Sequence, residues 1–435
     1  MTLSKTVDAS VDVSRLAPAN QRLRLIILLA FLWVVSGWLA ACHQQPADPI
    51  SGTWQAAVLN KAGEEVAFKL EIKREGEQVT GARVNGDERV VSTGGSFDGK
   101  SLKLKYDFYD GELDATLDGG QLRGDFRRQW RKEVLRRKFR AWREEQSSTP
   151  QVSGGPNVSG EWILRVGEGD QQKVWRASFR QDGANVSGTI IPVSGDWGTL
   201  TGQMDHGQLV LSRFDGINAQ LFKVRLTERG TLEGLINSER KVVAERADQA
   251  RSGEAPAPPD PGAYTSVKHL SEPFRFSFPD LNGNLVSSTD ERFRNKVVVA
   301  TITGSWCPNC HDEAPVLNDL YQRYRARGLE VVGLFFEYTG DLPRDREQVK
   351  IFARRHNIQY PVLLAGTTDE GEIEKKLPQL VNFGAYPTTI FIGRDGLVKK
   401  IHAGFEGPAT GQRFVRLKAE LEMLVKELLE EGVAE

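Results

Sequence analysis

Cysteine is scarce in this chain, with three among 435 residues, at positions 42, 307 and 310. That scarcity leaves no material for a disulfide-stapled framework. It also leaves no second Cys/His pair to complete a zinc shell around Cys307 and Cys310, so no metal site is expected. Charge excess is missing too: 57 Lys and Arg stand against 58 Asp and Glu, a formal net charge of -1. Such a balance gives no electrostatic case for a nucleic-acid partner. Long apolar runs are limited to one, Leu25 to Ala41, broken only by Ser36 and Gly37. Its length is at the short end for spanning a bilayer.

That run follows Arg22 and Arg24 and ends at Leu39-Ala40-Ala41-Cys42. A basic start, an apolar centre and small residues before a cysteine predict a lipoprotein signal peptide over 1–41. Cys42 is then the lipidated N-terminus and 42–50 a tether. The expected location is the bacterial cell envelope, lipid-anchored and facing the periplasm or the exterior. With Cys42 lipidated, both remaining cysteines serve one site.

Cys307-Pro308-Asn309-Cys310 sits between the β-branched run Val297 to Ile302 and a helical pattern of Val316, Leu317, Leu320, Tyr321 and Tyr324 closed by Gly328. A cysteine at a strand-to-helix junction meets the unpaired N–H groups and positive end of the helix, which favour its thiolate. Cys310, about one turn on, is the resolving thiol. Two other readings remain open. Cys307 to His311 matches the Cys-x-x-Cys-His attachment signature of a c-type haem, with His311 as axial ligand, and His311 otherwise reads as a surface residue of the helix. Taken by itself, Glu313 reads as a solvated first-turn acid, and Trp306 as an aromatic lip or a packing residue.

From about Phe274 to its C-terminus the chain resembles the TlpA-like thiol:disulfide oxidoreductases of the thioredoxin superfamily. The matching pieces are Phe278-Pro279-Asp280-Leu281-Asn282-Gly283, Gly304 to Cys310, Glu313-Ala314-Pro315, Tyr386-Pro387-Thr388-Thr389-Ile390-Phe391-Ile392 and Asp395-Gly396. The resemblance implies an α/β thioredoxin-like domain over 264–435, with Cys307, Cys310 and Glu313 as catalytic residues. It implies Trp306, Tyr386 and a cis Pro387 as the substrate-binding surface. Two departures stand out. Asn309 precedes Cys310 where the family often has proline, and Thr301 stands where thioredoxins carry a buried acid. The Pro-x-x-x-Thr-x-x-Cys context of a peroxidatic cysteine is absent around Cys307.

Between the tether and this domain the sequence repeats at an offset near 108. Ser51-Gly52-Thr53-Trp54 recurs as Ser159-Gly160-Glu161-Trp162, Gly76 to Gly81 as Gly183 to Gly188, and Leu122-Arg123-Gly124 as Leu232-Glu233-Gly234. Period-two alternation with Asp-Gly and Gly-Gly turns predicts two antiparallel all-β units, sandwiches or open barrels, over 51–145 and 159–248. A linker at 146–158 and a Pro-rich one at 249–263 separate the parts. The arginine-dense stretch Arg127 to Arg143 reads either as a basic amphipathic helix on a membrane surface or, by matching Ala141-Trp142-Arg143 to Ala244-Glu245-Arg246, as a final strand. Thr367 to Leu380 reads as an inserted helix near the substrate groove.

The expected function is a membrane-tethered, extracytoplasmic thiol:disulfide oxidoreductase. It would reduce protein disulfides, apocytochrome c among the candidate clients, with no cofactor besides the Cys307–Cys310 pair. No second dithiol exists to recharge the first, so a membrane electron donor of the thiol-reductase type is implied. The alternatives are a c-type haem protein, or an envelope ligand-binding protein acting through its β units.

Overall fold

A computed structural model describes residues 48–131, 133–143, 155–249 and 265–431. The signal peptide with Cys42, most of the first linker and nearly all of the second lie outside the described residues. No described helix is long and apolar enough to cross a membrane.

The first β unit is a nine-stranded antiparallel sheet in which the opening strand Gly52–Leu59 pairs with the closing strand Glu133–Trp142 at its centre. Glu133–Trp142 pairs along its whole length with Gln121–Trp130, so the arginine-dense stretch is strand and not helix. Alternation explains it: Phe139 and Ala141 face the core while Arg136, Lys138 and Arg140 face water. The two edge strands, Glu88–Val91 and Gly94–Phe97, are neighbours in sequence but lie at opposite ends of the sheet order. The sheet therefore curls into a half-barrel around Trp54, Phe68, Leu70 and Leu104. Phe214, Ile217, Ala219 and Leu221 of the second unit join that core.

The second unit is a closed barrel of eight antiparallel strands, sealed where Gly160–Val166 pairs with both Lys173–Asp182 and Arg240–Arg246. Closure removes both sheet edges. The repeat is physical as well as textual. Trp54 Nε1 donates to Ile50 O at 2.8 Å and Trp162 Nε1 to Val158 O at 2.9 Å. Arg143 covers the first indole and Arg246 the second, at 4.5 and 4.8 Å. Both guanidiniums also donate to the carbonyl of the matching serine, Ser51 or Ser159.

The C-terminal domain is a five-stranded sheet ordered Val362–Thr367, Leu329–Glu337, Val297–Thr303, Thr388–Ile392, Val398–Ala403. The first two pairings are parallel and the last two antiparallel. Helices α1 (Pro308–Tyr324), α2 (Leu342–Arg355), α3 (Glu372–Lys376) and α4 (Gln412–Glu430) complete it. The central strand is buried at all seven positions, as a strand covered on both faces must be. On one face α1 and α4 pack Leu317, Leu320, Leu421 and Val425 against it. Phe276, Phe293, Ile373 and Leu377 pack on the other. The 367–380 insertion is thus only a five-residue helix, followed by Leu380–Val381, which pairs with Ser266–Val267.

Candidate active site

The chain leaves the central strand at Thr303, and Cys307 becomes the N-cap of α1 with extended backbone, φ -96° and ψ 117°. Pro308 then occupies the first turn, where its missing N–H costs nothing and its fixed φ suits the helix. The Cys310 N–H points at Cys307 Sγ, 3.2 Å away. The α1 dipole and this N–H both favour a thiolate at Cys307 once the bond is reduced. Cys307 and Cys310 are disulfide-bonded, with Cα atoms 5.2 Å apart.

The Tyr386–Pro387 peptide is cis, as the resemblance implied. It places the Tyr386 carbonyl oxygen 3.6 Å from Cys307 Sγ. Trp306 is half-buried: its Nε1 donates to Phe336 O at 2.9 Å and its ring lies against Tyr386 and Tyr338.

Glu313 is not a solvated acid. It is 2% exposed, and its carboxylate accepts hydrogen bonds from the Thr301 and Thr389 hydroxyls. Burial pushes its pKa up to about 7 against the lowering effect of those two donors. The position at which Thr301 lacks an acid is therefore supplied with one from the helix. A second buried acid escaped the sequence reading. Glu337 accepts from both the N–H and the hydroxyl of Ser305 at 2.8 and 2.7 Å, and burial raises it to about 7 as well. The available signal was an acid appended to the apolar run Val331 to Phe336.

His311 departs from the surface position expected of it. It is 8% exposed, packed against Tyr109 of the half-barrel and Phe352. Its Nδ1 lies 2.7 Å from His356 Nε2 and its Nε2 2.8 Å from the Ser305 carbonyl. Because that carbonyl only accepts, His311 Nε2 carries the hydrogen and Nδ1 accepts from His356. Burial holds His311 far below the usual histidine range. With both ring nitrogens engaged and the ring enclosed, His311 does not suit an axial haem position.

Residues 272–401 match the model of the AhpC/TSA family. The match agrees with the dithiol at the helix N-terminus beside a cis-proline. These residues are similar to the TlpA-like proteins of the thioredoxin superfamily. A thiol-disulfide oxidoreductase ResA of Bacillus cereus is 30% identical over 127 residues, 29% of this chain and 65% of that protein. ResA of Geobacillus thermodenitrificans is 29% identical over 129 residues, 30% of this chain and 66% of that one. The chain thus spans a little under two thirds of these relatives. Among solved structures, a thiol:disulfide interchange protein of the thioredoxin family from Chlorobium tepidum TLS is 22% identical, covering 38% of this chain and 99% of that one with a TM-score of 0.29. The residues matched by the family model begin after the β units.

The β units nevertheless touch the dithiol loop. Asn309 Nδ2 donates to the Ser194 carbonyl of the closed barrel at 3.0 Å, Gly195 bridges Phe405, and the Gly407 N–H donates to Asp196 Oδ1. Cys307 is only 4% exposed. Next to the dithiol, burial raises Asp312 to about 8, with Asp196 and Glu88 adding to the shift.

Proposed function

We propose that this protein is a thiol:disulfide oxidoreductase of the cell envelope, tethered to the membrane through lipidated Cys42 and acting as a reductase of protein disulfides. The observation that carries the reading is the Cys307–Cys310 disulfide at the α1 N-terminus, next to the cis Tyr386–Pro387 peptide. In the reducing direction the Cys307 thiolate attacks one sulfur of a client disulfide and expels the other as a thiolate. Cys310 then attacks Cys307 Sγ, releasing the second client thiol and closing the Cys307–Cys310 bond. Two electrons pass from the dithiol to the client. Glu313, with a pKa near neutrality, is the group suited to take the Cys310 proton during the second step. Trp306, Tyr386 and Pro387 form the surface that receives the client. Re-reduction calls for an external donor, for which a membrane thiol reductase is the fitting class, and apocytochrome c is among the clients the reading allows.

The β units bear on this site directly, because their residues share a cavity with the dithiol. That favours a client-binding role for them over a role as spacers. The reading is tested by titrating the protein against dithiothreitol or glutathione. A reduction potential near or below about -250 mV marks a reductant, whereas one near about -120 mV marks a disulfide-forming oxidant and refutes the direction proposed. Mass spectrometry of chain extracted from membranes tests the anchor, which predicts a diacylglyceryl-cysteine N-terminus at Cys42.

A further inference from the structure

Cys307 opens onto a cavity of about 510 Å³ whose walls come from all three parts of the molecule. One wall is the dithiol loop with Trp306 and Tyr386. The closed barrel supplies Asp196, Arg213 and Arg240, and the half-barrel supplies Lys61 and Arg137. A cavity of this size falls in the range of sites for small ligands, roughly 300–1,000 Å³. A folded protein partner instead needs about 800 Å² of matching surface on each side. The barrel segment pinned through Ser194, Gly195 and Asp196 stands beside the sulfurs, where such a surface would have to lie. An extended chain can enter where a convex surface cannot.

Charge in the walls is committed unevenly. Arg213 is neutralised by Glu88 and Asp215, each at 2.7 Å, and Asp196 accepts from the Gly198 and Gly407 N–H groups. Among the described residues, three wall cations have no carboxylate within ion-pair distance. Arg137 donates to the Leu59 carbonyl at 3.3 Å. Arg240 stacks on Trp175 at 5.0 Å, and Lys61 makes no hydrogen bond or ion pair among the described residues. Burial draws Arg137 and Arg240 below the usual arginine range, since no nearby anion offsets the lost hydration in full. Of the wall carboxylates, Asp215 acts on Arg137 and Glu239 on Arg240, each offsetting only part of that cost.

We propose that this cavity is the substrate site of the dithiol and takes a disulfide carried on an extended, carboxylate-bearing peptide, with Arg137 and Arg240 recognising the carboxylates. The inference rests on the oxidoreductase reading above and deepens it. The chemical step is thiol–disulfide exchange: the peptide S–S bond is reduced to two thiols while the dithiol becomes the Cys307–Cys310 disulfide. A free small peptide and an unfolded polypeptide segment both present this chemistry.

The test uses the full chain, reduced with dithiothreitol and freed of excess reductant, and two peptides identical except that Glu or Lys flanks their internal disulfide. Rates are referred to that of uncharged bis(2-hydroxyethyl) disulfide. At low salt the Glu peptide is expected to react at least about fivefold faster than the Lys peptide. That ratio should approach one in the Arg137→Gln/Arg240→Gln double variant and, for the parent, in high salt. The salt series keeps the test sharp if the double variant does not fold. Equal rates in the parent, or a faster Lys peptide, overturn the inference while leaving the oxidoreductase reading intact. Failure to reduce even the uncharged disulfide overturns both. Oxidised glutathione identifies the source: a rate matching the Glu peptide assigns a free tripeptide, a slower one a longer chain segment.

Discussion

Replacing Glu313 with Gln isolates the electrostatic cost of a buried carboxyl at the heart of the domain. Gln keeps the shape and can still bond to the Thr301 and Thr389 hydroxyls, but it cannot ionise. In the folded chain Glu313 titrates at about 7, against an ordinary value of 4.5. A folded pKa raised above the unfolded one means that the native state holds a proton which the unfolded state has already lost. Stability is then fully present below about pH 4.5 and declines as pH rises to about 7. At about 1.4 kcal/mol per pKa unit, the loss across that window approaches about 3 kcal/mol. Urea unfolding of parent and Glu313→Gln at pH 4.5, 6 and 8 should show the variant gaining on the parent by about that amount between the ends. Glu337 titrates in both proteins and cancels in the difference. In parallel, the pH–rate profile for the second step of exchange should lose an inflection near 7 in the variant. A stability difference that does not change with pH would refute the buried-acid argument. An unchanged pH–rate profile would refute the proton-transfer role alone.

Two further outcomes follow from the contacts around the dithiol. Gly195 has φ +115°, and a Cβ there would sit 2.1 Å from Asn309 Nδ2 and 2.2 Å from the Phe405 carbonyl oxygen. Gly195→Ala should therefore displace the barrel segment from the dithiol loop and speed alkylation of reduced Cys307 by about tenfold, in line with strain of about 1–3 kcal/mol; an unchanged alkylation rate would show that the segment does not shield the thiol. His356 is held at about 4 by burial, with Arg355 adding to the shift. Its depressed pKa contributes stability that is present above about 6.5 and is lost as pH falls toward 4, up to about 3 kcal/mol. His356→Gln should flatten that acid-side loss in urea titrations between pH 7 and 4.5, and an equally steep loss in the variant would count against the histidine pair as its origin.

Local pattern determined much of this protein. A charge-free β-branched run followed by Cys-x-x-Cys and helical spacing can only put the first cysteine at a strand-to-helix turn, and period-two alternation with Gly-rich turns dictates antiparallel β units. The arginine-dense stretch became legible as strand through the repeat, because Ala141 and Ala244 stand at corresponding places beside the first strand of each unit. The individual site residues were readable one at a time, in proportion to how local their role is. Which groups are buried together was not. Glu313 is an ordinary helix acid until Thr301 and Thr389, brought together by adjacent strands, close over it. His311 is a surface residue until Tyr109, some two hundred positions earlier, covers it. Closure of the second unit, curling of the first, and the cavity that both share with the dithiol arise from pairings between distant segments. Short-range periodicity carries backbone geometry. Desolvation, the force that moves the carboxyl and imidazole pKa values here, depends on what packs from elsewhere in the chain, and only the tertiary structure decides that.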